Sequence, residues 1–98
     1  MFSTIALTFV AGFFGGNGLP YYVAGSHGEG INPGPFADTP VANVLMGCSC
    51  LAIAGACWGL ADISDHALPG SLAALAGVAL VGLIHARLWK DDPWGTRE

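Results

Sequence analysis

The run PVANVLMGCSCLAIAGACWGLA, Pro40 to Ala61, and the run ALPGSLAALAGVALVGLI, Ala67 to Ile84, contain no charged residue, and only a short patch with Asp62, Asp65 and His66 separates them. At about 1.5 Å per helical residue, each run can cross a hydrocarbon layer of about 30 Å. Two such segments in 98 residues predict an integral membrane protein. With 53% hydrophobic and 10% charged residues, the chain lies far from the roughly 25% charged content of soluble domains. The net charge is −4, and the three basic residues, Arg87, Lys90 and Arg97, all fall near the end of the chain. Nucleic-acid binding needs a basic stripe, which this pattern does not supply.

The first segment, Met1 to Ala24, is also uncharged, but it meets Gly15-Gly16-Asn17-Gly18-Leu19-Pro20 after a short apolar stretch. Glycine weakens a helix by about 1 kcal/mol and an interior proline by about 3 kcal/mol. A helix starting near Phe2 should therefore either end short or be kinked around Gly15 to Pro20. The expectation is an all-α bundle of three membrane helices over residues 2–23, 40–61 and 67–87, forming one transmembrane domain with a tail over 88–98. The Met-Phe-Ser-Thr start lacks the positive charge of a secretory signal. Tyr21 and Tyr22 at one end, and Trp89 and Trp94 at the other, are the expected interfacial anchors, because amphipathic rings concentrate at headgroup depth.

The stretch from Gly25 to Asp38, rich in Gly, Pro, Asn and Ser, reads as a long loop. The connection from Ala61 to Pro69 reads as a tight turn, with Ser64, Asp65 or Ser71 as candidate caps for the third helix. Basic residues only after the last span put the C-terminus in the cytoplasm by the positive-inside rule, the Gly/Pro loop inside and the acidic turn outside.

Small residues four apart occur in every segment: Gly12 and Gly16, Gly55 and Gly59, Ala73 and Gly77. That spacing places each pair on one helix face, where backbones approach closely in lipid. These six are the expected packing positions, within the chain or between copies. Cys48 and Cys50 point to nearly opposite sides of a helix. Cys50 and Cys57 share a face, but a separation of about 10 Å along the axis is too long for a disulfide. They read as small buried hydrophobes, and the spacing gives no zinc site. Asp62, Asp65 and His66 together make a weak pattern for a divalent cation, read here as an ordinary solvated turn. His85, two residues from Arg87, reads as a residue near the interface, with Asn17 and Asn43 the polar groups at membrane depth. No nucleophile with a base and no phosphate cradle is present, so neither catalytic residues nor a cofactor are assigned.

At Gly16-Asn17-Gly18-Leu19-Pro20-Tyr21-Tyr22, Pro35-Phe36 and Val41-Ala42-Asn43-Val44-Leu45-Met46-Gly47, the chain resembles a family of small bacterial multi-pass membrane proteins. Their first helix is kinked at an Asn-Gly-x-Pro stretch, and the family has no established activity. The resemblance covers about the first half. Tyr21-Tyr22 stands where the family pattern has His-Phe, and Met46 where it has Trp, so no role for that histidine carries over. The resemblance implies that Asn17, Pro20 and Asn43 form one polar kink site, each amide bonding a backbone group freed by the kink.

The functional expectation is a bacterial inner-membrane protein that acts by helix packing, as an accessory subunit of a membrane complex or as a self-associating bundle. Its partners would be the lipid bilayer, other subunits or copies of itself. A small oligomeric transporter lined by Asn17 and Asn43 is the alternative, and a redox or metal-binding protein using Cys50, Cys57, His66 and His85 is the second.

Overall fold

A computed structural model describes residues 1–30, 32 and 37–91, with the backbone alone for 88–91. Among the described residues the chain is all-α, with α1 Phe2–Ser26, α2 Pro40–Leu60 and α3 Ala67–Asp91. All three are long and apolar enough to cross a membrane, α3 over Ala67–Arg87. Helices and closed barrels are the two ways to satisfy every backbone polar group in hydrocarbon, and a barrel strand needs only about 9–11 residues, so the length of the uncharged runs 40–61 and 67–84 favours helices before any packing is considered.

The first helix does not stop at its glycines. It continues through Gly15 to Pro20 and ends at Ser26, with Pro20 inside it. Of the two forms left open by the sequence, short or kinked, the short one is therefore excluded. Pro20 removes one rung of the helical ladder, yet Tyr21, Ala24 and Gly25 beyond it are buried. Their burial against the other helices offsets a local cost of about 3 kcal/mol. α2 opens as its sequence suggests: Pro40 takes the first position, and the Thr39 hydroxyl accepts from the Ala42 N–H at 3.1 Å. α3 opens at Ala67, its first turn closed by the Gly70 N–H on the His66 carbonyl at 2.9 Å. The hydroxyl of Ser64, one of the candidate caps, donates to Asp62 Oδ1 at 3.2 Å.

The helices do not lie in chain order. α1 packs against both others, and α2 and α3 make no helix-to-helix packing with each other among the described residues. A Cβ on Gly12 would collide with the backbone of Ala74, and one on Gly16 with Val81, so α1 and α3 run in the same direction. A Cβ on Gly25 would strike Val44 and one on Gly18 would strike Gly47 and Cys50, so α1 and α2 are antiparallel. The turn from Ala61 to His66 consequently passes the start of α1, where the Asp62 N–H donates to Thr4 Oγ1 at 3.2 Å. Thr4 and Thr8 are both buried, and the Thr8 hydroxyl donates back to the Thr4 carbonyl at 2.7 Å.

The candidate functional site: an amide shared by three helices

On α3 the residues turned inward are Gly70, Gly77, Val81 and the half-buried His85, a face repeating every three to four positions. On α2 the buried set is Asn43, Gly47 and Cys50. Glycines at Gly18 and Gly47 bring α1 and α2 so close that a Cβ on Gly18 would lie 2.8 Å from the Gly47 carbonyl oxygen. Close approach lets short polar side chains reach across.

Asn17 is where they meet. Its Nδ2 donates to Cys50 Sγ on α2 at 3.3 Å, and its Oδ1 bonds His85 Nε2 on α3 at 2.8 Å. An amide oxygen only accepts, so with this orientation His85 Nε2 carries the proton. The Tyr21 ring stands edge-on to the imidazole, with centroids 5.8 Å apart and planes at 76°. One residue on the central helix thus holds a group from each outer helix. His85, expected near the interface, is half-buried and packs against Asn17 and Tyr21.

Asn43 belongs to a second, separate cluster. It is 0% exposed; its Nδ2 donates to the Glu29 carbonyl at 2.9 Å, and its Oδ1 accepts from Asn32 Nδ2 at 3.1 Å. Asn32 also donates to the Ala37 carbonyl at 3.2 Å, so the two amides clasp the loop between α1 and α2. Asn43 and Cys50 are seven positions apart on α2, or about 10 Å along its axis. The expectation of one kink site is therefore corrected in two ways. Asn17 and Asn43 are at different depths, and neither bonds a carbonyl released beside Pro20: Asn17 bonds side chains, and Asn43 bonds the loop.

The expected packing residues divide as well. Gly12, Gly16 and Gly77 line the α1–α3 contact, where a Cβ on Gly77 would meet the backbone of Phe9 and Phe13. Ala73 is half-buried, and its neighbour Ala74 is the residue facing Gly12. Gly55 and Gly59 face open space, with nothing within 4 Å of a Cβ there, so among the described residues they make no packing contact with another helix. Tyr21 is only 3% exposed and packs inside, so it is not an interfacial anchor; Tyr22, at 42%, faces outward. The Trp89 side chain and Trp94 lie outside the described residues.

Cys48 is exposed, Cys50 buried and Cys57 half-buried, as the helical spacing of the first two requires. Asp62 and Asp65 are exposed and His66 is half-buried. Among the described residues no group of three or more His, Cys, Asp or Glu side chains could hold a metal ion. Sequence reasoning missed Thr4, Thr8, Asn32, Gly18, Gly25 and Gly47. The threonines carried a usable signal, being hydroxyls one turn apart in an apolar helix. Asn32, inside a Gly/Pro loop, carried none. No family model matches the chain, and neither a curated protein nor a solved structure was found to be similar to it.

Proposed function

We propose that this protein acts by helix packing in a bacterial inner membrane, as a self-associating bundle or an accessory subunit of a larger membrane complex, with no catalytic activity of its own. The observation that carries this reading is the uncovered half of α2. Gly55 and Gly59 leave open space beside their helix, whereas Gly12, Gly16 and Gly77 are consumed by α1–α3 contact. Small residues at that spacing let a further helix approach closely. Cys48, Gly55 and Gly59 lie within about 40° of one another around the helix, so a partner on that face would also cover the exposed thiol. The basic residues Arg87, Lys90 and Arg97 after the last span support a cytoplasmic C-terminus by the positive-inside rule.

A polar path through a single chain has less support. The groups at Asn17 and Asn43 are separated by the seam where Gly18 meets Gly47, which leaves no room even for a methyl group.

The test is the assembly state of tagged protein in mild detergent, with Cys48 as a reporter. Self-association predicts Cys48-to-Cys48 crosslinking that Gly55→Leu with Gly59→Leu abolishes. An accessory role predicts one constant larger partner, lost in the same double variant. A protein that is monomeric and without such a partner in both forms refutes the proposal.

A further inference from the structure

We draw no further inference here: the strongest candidate, the outward face of α2 along the exposed residues Cys48, Ser49, Ala52, Gly55, Ala56 and Gly59, belongs to the packing reading already proposed, and nothing in the structure shows what covers it.

Discussion

Replacing Asn17 by leucine deletes the hydrogen bonds to Cys50 and His85 and leaves an imidazole N–H facing an apolar side chain. Interhelical hydrogen bonds in membranes are worth about 0.6 kcal/mol on average and up to about 2 kcal/mol, so Asn17→Leu is expected to cost within that range. Gly18→Leu, one position away, drives a side chain into Gly47 and Cys50, whose atoms lie 2.8 and 2.9 Å from even its Cβ. Overpacking of that kind costs about 1–3 kcal/mol, more where backbone must move, as it must here. Unfolding of the two variants in mixed detergent should therefore rank Gly18→Leu as the more damaging. The reverse ranking would make the polar junction, not the glycine seam, the main bond between α1 and α2. Asn17 was legible in the sequence as a polar residue inside a span. Its partners were not, because a hydrogen bond to a residue 68 positions later depends on which helices are neighbours, and composition does not encode that.

At the scale of elements, the helices were legible because hydrocarbon leaves the backbone no alternative once a run is long and uncharged. The fate of α1 beyond Gly15 was not legible from propensity, since its continuation depends on the burial of Tyr21, Ala24 and Gly25, a tertiary effect. The packing of α1 against α3 likewise rests on small residues whose spacing was visible, though the register puts Ala74 rather than Ala73 against Gly12. Gly12→Ile should detach α3 specifically, because the Ala74 backbone blocks any side chain there while the α1–α2 seam lies further along at Gly18, Gly25, Asn43 and Gly47. Spin labels on α1 and α3 should move apart in this variant while a pair on α1 and α2 keeps its distance. Loss of both distances together would mean that the two contacts form as one cooperative unit.

Over the whole molecule, the consequence of a central α1 is that two separable interfaces share one helix. α2 follows α1 through a loop clasped by Asn32 and Asn43, whereas α3 returns to α1 only after the chain has passed its start at Thr4. Because α2 and α3 do not pack on each other among the described residues, removing α3 takes nothing directly from the α1–α2 contact. Its cost to α1 is exposure of the face holding Gly12 and Gly16, which lipid covers almost as well as another helix does, together with the hydrogen bonds of His85 to Asn17 and of the Asp62 N–H to Thr4. A chain ending after Leu60 should therefore still insert as a helical hairpin. The pair Gly15→Cys and Ala54→Cys, where a Cβ on Gly15 would lie 3.7 Å from the Ala54 Cβ, close to disulfide spacing, should crosslink as efficiently in this shortened chain as in the full one. If the crosslink disappears, α3 is needed to align α1 with α2, and the independence of the two interfaces is wrong; if it persists, the α1–α2 hairpin is the folding unit on which α3 docks.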